Sequence, residues 1–183
     1  MRIWKADTKA ISLMLLFVLW ATISLAAVND ELLDCAAKGE SAKVIHLIAM
    51  GANVNARKSD GSTVLMVASK KGNLGTVQAL IVARAEVNAR RADGVTALYL
   101  ASQEGCLDVV RALIQAKADP DATANDDGTT ALYMASQEGY QEVVNALIAA
   151  KADVNIRAND GTTALYIAQL QGNSEVVELL KKA

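Results

Sequence analysis

The side chains best suited to chemistry are few in this 183-residue chain: one histidine, His46, and two cysteines, Cys35 and Cys106. A nucleophile relay needs a base beside the nucleophile and a third group to orient that base. A lone histidine with no matching partners does not supply one. Structural zinc needs four nitrogen or sulfur ligands at tight spacing, and three such side chains cannot make that set. The densest run of carboxylates, Asp119-Pro120-Asp121 followed by Asn125-Asp126-Asp127-Gly128, is the kind of oxygen-rich stretch that could attract calcium. It lacks the alternating ligand spacing and the closing glutamate of a calcium loop. No glycine-rich phosphate loop is present. The reading is therefore a protein that is not an enzyme, with no catalytic residue, no cofactor and no metal.

The remaining carboxylates recur. Asp60-Gly61, Asp93-Gly94, Asp127-Gly128 and Asp160-Gly161 each open the same phrase, as in Asp93-Gly94-Val95-Thr96-Ala97-Leu98-Tyr99-Leu100-Ala101-Ser102-Gln103-Glu104-Gly105. Catalytic pairs are singular and these are periodic, so the pattern points to architecture. Thr63, Thr96, Thr130 and Thr163 stand where a hydroxyl can cap a helix. About nine helical residues should follow each. Gly72, Gly105, Gly139 and Gly172 stop that helix in a left-handed conformation. A second helix carries one apolar face, Val109-Val110 with Leu113-Ile114 and Val143-Val144 with Leu147-Ile148. Each Asp-Gly marks a tight turn with positive φ between units. A weaker first copy begins near Asn29, with Asp30 at the capping position and Gly39 at the stop. One such unit cannot bury its apolar face, whereas a stack can.

The first 26 residues read differently. Arg2, Lys5 and Lys9 precede an uncharged apolar run from Ala10 through Trp20, then small residues ending Ser24-Leu25-Ala26-Ala27. That order is basic, apolar, small, the order of an export signal, with cleavage expected after Ala26 or one residue later. The alternative is an uncleaved membrane anchor over residues 10–27, near the minimum length that spans a bilayer. Both place the remainder outside the cytoplasm, in the periplasm or secreted, or anchored to the inner membrane and facing outward. The whole chain has a formal net charge of −2, without the Lys/Arg excess that nucleic acid requires.

From the repeated phrases the chain resembles the ankyrin-repeat family over about residues 29–183, in a form like that exported by bacteria. The resemblance implies an all-α solenoid of stacked helix-turn-helix units with β-hairpin loops, preceded by the signal peptide. The units span about 29–58, 59–91, 92–124, 125–158 and 159–183, within one domain over 27–183. Three departures stand out. The family's Thr-Pro-Leu-His phrase is Thr-Val-Leu-Met over residues 63–66 and Thr-Ala-Leu-Tyr in the later copies. The loop glycine survives as Gly51 but is Arg84, Lys117 and Lys151 elsewhere. Pro120 and an extra residue near Asn125-Asp126 should reshape one hairpin.

In that family the concave face and hairpin tips bind other proteins. Carried over position by position, the tips are Arg57, Ser59, Arg90, Ala92, Asn125, Asp126, Arg157 and Asn159. The residues after Asp-Gly are Ser62, Val95, Thr129 and Thr162. The first-helix ends are Lys70, Lys71, Gln103, Glu104, Gln137, Glu138, Leu170 and Gln171. This face runs from basic (Lys38, Lys70, Lys71) to acidic (Glu104, Glu138), so a partner of opposite polarity is expected. Tyr99, Tyr133 and Tyr166 form a ladder that either faces a partner or packs between units, and packing is preferred because the repetition is strict. Arg84, Lys117 and Lys151 are read as cations at helix C-termini. Arg57, Arg90 and Arg157 are read as pairing with Asp60, Asp93 and Asp160 across the hairpin. Cys35 should be buried and Cys106 the more reactive, too distant to bridge. The chain is expected to be a monomer that binds a protein, not nucleic acid, and a membrane only if its N-terminal segment is retained.

Overall fold

The computed structural model describes residues 25–183. Most of the expected export signal lies outside the described residues. Helix α1 covers 25–38. It is followed by α2 (Ser41–Ala49), α3 (Val64–Lys70), α4 (Leu74–Val82), α5 (Ala97–Gln103), α6 (Leu107–Gln115), α7 (Ala131–Glu138), α8 (Gln141–Ala149), α9 (Ala164–Gln171) and α10 (Ser174–Leu180). Helices α3, α5, α7 and α9 stack as a first row, α2, α4, α6, α8 and α10 as a second, and each first helix packs on the second helix of its own unit. Leu65, Leu98 and Leu132 of the first row and Leu80, Leu113 and Leu147 of the second are fully buried, so the core runs unbroken along the stack. Ala68, Ala101, Ala135 and Ala168 are buried at one matching position of the first-row helices, and Cys35 is buried at the same place in α1.

The local signals act as their chemistry requires. The hydroxyls of Thr63, Thr96, Thr130 and Thr163 accept from the backbone N–H groups of Met66, Tyr99, Tyr133 and Tyr166 at 3.2–3.3 Å. The helices that follow are seven or eight residues long, slightly shorter than the sequence suggested. Asp30 does not cap α1, because the backbone is already helical from residue 25. Asn29, also within the helix, instead accepts from the Asn53 N–H of the loop after α2 at 2.8 Å.

Backbone groups left open by one unit are satisfied by the next. Asn55, Asn88 and Asp121 accept from the N–H groups of Glu86, Asp119 and Asp153 at 2.8–2.9 Å. Asn73 donates to the terminal carbonyls of α1, at Ala36 and Ala37, and Asn173 does the same at Ser136 and Gln137 of α7. The hairpins carry single bridges, Arg57↔Thr63 and Arg157↔Thr163, rather than extended strands among the described residues. The extra residue near Asn125 widens its hairpin: Ala124 N–H reaches Thr129 O, one residue further than Lys58 to Ser62 or Ala158 to Thr162.

Two features cost stability. Arg84, Lys117 and Lys151 sit at φ of +64°, +68° and +65°, where Gly51 sits at +97°. A side-chain-bearing residue in the left-handed region costs about 1–2 kcal/mol, so these positions are strained as well as cationic. Lys117→Gly is expected to stabilise the fold by about 1 kcal/mol in urea unfolding, the strain relief exceeding the entropy that glycine adds to the unfolded chain. A loss of stability would mean the lysine side chain holds a contact worth more than the strain. The second feature is a row of buried hydroxyls. Ser69, Ser102 and Ser136 are fully buried with no hydrogen-bond partner among the described residues. An orphaned buried hydroxyl costs on the order of 1–3 kcal/mol, and the first unit already has Ala36 at this place. Changing all three serines to alanine is expected to raise stability by about 2 kcal/mol or more. A lower midpoint would show that the hydroxyls are bonded in solution.

Candidate functional site

A groove runs between the hairpins and the first-helix row. It consists of three hollows in series, of ≈ 160, 230 and 590 Å³. The first is lined by Lys58, Asp60, Met66, Lys70, Lys71 and Arg91. Lys70 and Arg91 also line the second, with Asp93, Asp126 and Asp127. The third and widest lies between the hairpins of the third to fifth units, against Gln103, Tyr133, Gln137, Asp126, Asp127 and Asp160. The groove therefore passes from four cations and one carboxylate, Asp60, at one end to three carboxylates at the other.

Its walls are rigid for identifiable reasons. Asp60, Asp127 and Asp160 each accept from the N–H two residues on, at 2.8–3.0 Å, which closes the turn and aims the carboxylate. Those turn hydrogen bonds hold the Asp60 carboxyl below its usual range, and the Thr162 hydroxyl followed by its N–H does the same for Asp160. Arg91 grips Asp93 with two nitrogens, and that pairing lowers the Asp93 carboxyl. Carboxyls depressed in the folded state contribute stability that is present above the ordinary value near ~3.9 and lost as pH falls through the lower folded values. The melting temperature is therefore expected to stay level from neutral pH to about 5 and to drop below about 4. Asp93→Asn should make that acid limb shallower, and an unchanged limb would remove the Arg91 pairing from the account.

The sequence-selected residues divide. Ser59, Lys70, Lys71, Glu104, Asp126, Glu138, Arg157, Tyr166, Leu170 and Gln171 are exposed, and Gln103, Gln137 and Thr162 are half-buried. Ser62, Val95 and Thr129 are buried, because the turn folds them beneath the hairpin. Tyr99 and Tyr133 are also buried: their hydroxyls meet the Thr129 and Thr162 hydroxyls of the following units at 3.0 and 3.2 Å. The ladder is inter-unit packing there, and only Tyr166, 52% exposed, is left facing outward. Arg57, Arg90, Asn125 and Asn159 are exposed but committed. Arg57 donates to Gly61 O and to Arg90 O of the next hairpin. Arg90 donates to Thr123 O and Asn125 Oδ1, and Asn125 and Asn159 donate to Ala92 O and Asp126 O of the preceding hairpin. Arg157 donates to Gly161 O. The expected Arg–Asp pairs at spacing three are thus replaced by bonds to carbonyls, and the pair that forms is Arg91–Asp93.

Sequence reasoning passed over Lys58, Arg91, Asp127 and Asp160. Asp127 and Asp160 stand in Asp-Gly turns whose periodicity reads as structural, although a turn that lines a groove serves both purposes. Lys70 reaches Glu104 of the next unit at 3.9 Å, a bridge across the seam where the groove changes sign. Cys106 is partly exposed, Cys35 is buried, both are free, and burial pushes both thiols up. His46 is exposed on α2. Among the described residues no three His, Cys, Asp or Glu side chains gather closely enough to hold a metal ion.

A family model described as ankyrin repeats (3 copies) matches residues 32–124 and 116–183. No curated protein matches the chain.

Proposed function

The chain belongs to the ankyrin-repeat family, and from that premise we propose that it is an exported, non-enzymatic scaffold that holds a protein partner in the hairpin-side groove, as adaptor, inhibitor or protector. Ankyrin repeats are generally protein–protein interaction scaffolds. The observation that carries the reading is the polarity of the groove, with Lys58, Lys70, Lys71 and Arg91 at one end and Asp126, Asp127 and Asp160 at the other. Fixed charges on a rigid wall steer a complementary partner and set its direction along the groove.

Export rests on residues 1–26, and the folded part is compatible with cleavage there. Leu25, Ala26 and Ala27 are exposed, and the first fully buried side chain is Leu32, so removal would take away no core residue. Intact mass of the exported protein decides between cleavage and retention. A cleaved chain starts near Ala27 and has no tryptophan emission, since Trp4 and Trp20 are both removed. A retained segment would favour the second reading, an outward-facing element tethered to the membrane.

The groove is tested by amine-reactive cross-linking of the full chain with its exported neighbours. Links from one protein to Lys58, Lys70 or Lys71 are expected. Links confined to Lys43, Lys117, Lys151 or Lys181 would move the site away from the groove.

A further inference from the structure

The outer surface of the second-helix row changes character along the stack. At one solvent-facing position the five units carry Ala42, Gly75, Asp108, Glu142 and Glu175, at another Ile45, Gln78, Arg111, Asn145 and Glu178. Helices α2 and α4 hold no carboxylate, and α4 holds no charge at all, whereas α6, α8 and α10 are charged as solvated helices are. Between α2 and α4 lies an apolar groove of ≈ 390 Å³, floored by Ile48, Gly75 and Ala79 and rimmed by Ile45 and Val82. Ile45 is 57%, Met50 65% and Val82 83% exposed. The later units show what this fold places in water at these positions, so the bare first two units mark a contact surface.

The charges around the patch say what fits it. They are two cations, Lys43 and Arg84, and three carboxylates, Glu31, Glu40 and Glu86. A rim of one sign draws a partner of the other, and this rim is mixed. An apolar centre inside a mixed polar rim is the make-up of a protein–protein contact. The surface that matches it carries the same mix, and a second copy of the patch is such a surface. The placement of the charges agrees. Helices α2 and α4 are equivalent helices of successive units and pack side by side in one direction. Glu40 and Lys43, 3.0 Å apart, stand at the start of α2, and Arg84 and Glu86 stand beyond the end of α4. These are opposite corners of the patch, and each holds one cation and one carboxylate. A two-fold axis lying in the patch, at right angles to that diagonal, lays one corner on the other. Arg84 then faces Glu40 and Lys43 faces Glu86, and the symmetry makes each pairing twice.

We infer that a second copy of the chain docks on the outer face of the first two units. The result is a two-fold dimer in which Ile45 and Val82 of each copy enter the apolar groove of the other and the charged corners meet. The chain is then a dimer, in place of the monomer that its sequence suggests. The partner groove lies on the other side of the stack, between the hairpins and the first-helix row, so a dimer carries two of them. This goes beyond the partner-binding reading and does not rest on it. Self-association uses one side and a protein partner the other, so each can fail alone.

The test is sedimentation velocity of the chain as isolated, over about 1–100 μM, where interfaces of modest affinity dissociate. The mass is expected to rise with concentration to twice that of one chain and no further, since a two-fold contact is closed. Ile45→Glu with Val82→Glu is expected to weaken association at least about a hundredfold, while the far-ultraviolet circular dichroism stays unchanged. The corners are tested by a pair of variants. Lys43→Glu with Arg84→Glu makes both corners acidic, and Glu40→Lys with Glu86→Lys makes both basic. Alone, each should associate at least about tenfold more weakly than the unsubstituted chain, because like charges face each other twice. Mixed in equal amounts, the two should regain the doubled mass. A single-chain mass for the unsubstituted protein at every concentration would overturn the inference, whatever else then covers the patch. A doubled mass that survives the Ile45 and Val82 changes would overturn it too, by placing the contact on another face. Mixing that restores nothing would do the same, because the corners would not meet.

Discussion

Alanine at Gly94 is expected to cost about 3 kcal/mol and at Gly128 about as much, while alanine at Gly161 costs about 1 kcal/mol. All three glycines hold positive φ, +81°, +71° and +84°, so the backbone strain is common to them. They differ in what stands beside them. A Cβ on Gly94 would lie 2.6 Å from Asn125 Oδ1 and 2.7 Å from its backbone nitrogen, and one on Gly128 would lie 2.6 Å from Asn159 Oδ1. At Gly161 nothing lies within 4 Å. The asparagines cannot retreat cheaply. Asn125 N–H and Asn159 N–H donate to Asp93 O and Asp127 O, both at 2.7 Å, and these bonds join successive hairpins. Each such bond contributes about 1 kcal/mol, and more if a partner is left buried and unpaired. For a domain of this size the first two changes should lower the melting temperature by roughly 6–12 °C and the third by about 2–4 °C. Equal effects at all three would mean that the hairpin-to-hairpin bonds contribute nothing and that each hairpin stands alone.

Reversing the groove's charge is expected to weaken partner binding by about tenfold or more, chiefly through the association rate, and to leave stability within about 0.5 kcal/mol. Lys70 and Glu104 separate the two explanations such a loss could have. They form one exposed ion pair at 3.9 Å, and an exposed pair is worth about 0–1 kcal/mol at most. Lys70→Glu alone destroys the pair and the local polarity. Lys70→Glu together with Glu104→Lys restores the pair and inverts the polarity. If the field along the groove steers the partner, the double variant binds as poorly as the single one. Recovery of binding in the double variant would mean the pair itself matters and the polarity does not. Raising the salt concentration should shrink the difference between wild type and variants, as screening requires.

The repeated framework was legible because each of its signals is local. A hydroxyl at the start of a helix, a glycine at its end and Asp-Gly at a turn satisfy their own neighbours, and Thr96, Gly105 and Asp93-Gly94 do this within a dozen residues. What escaped is what depends on the distance between units. Tyr133 is as suited to an interface as to a core by type, and only the spacing of the stack brings its hydroxyl to Thr162. Arg57 looked like a partner for Asp60, yet the neighbouring hairpin offers the Arg90 carbonyl at a better place. Asp30 looked like a cap because it stands at the threonine position of the later units, whereas the backbone is already helical from residue 25. The strain at Lys117 was readable in principle: Gly51 holds the same place, and a position where one unit uses glycine is a candidate for positive φ. The groove was half legible. Lys70, Lys71, Asp126 and Gln137 came from their positions, while Asp160 was read as a turn residue and Lys58 and Arg91 drew no reading.

The most direct test of the groove is cross-linked capture from the exported fraction with two baits: the full chain, and the same chain with Lys70, Lys71, Gln103, Glu104, Gln137 and Glu138 changed to alanine. These side chains lie at the exposed ends of α3, α5 and α7 and leave the buried core untouched. The account predicts that the first bait captures a discrete protein and the second loses it, with both baits melting at the same temperature. The same protein on both baits, or none on either, would contradict it.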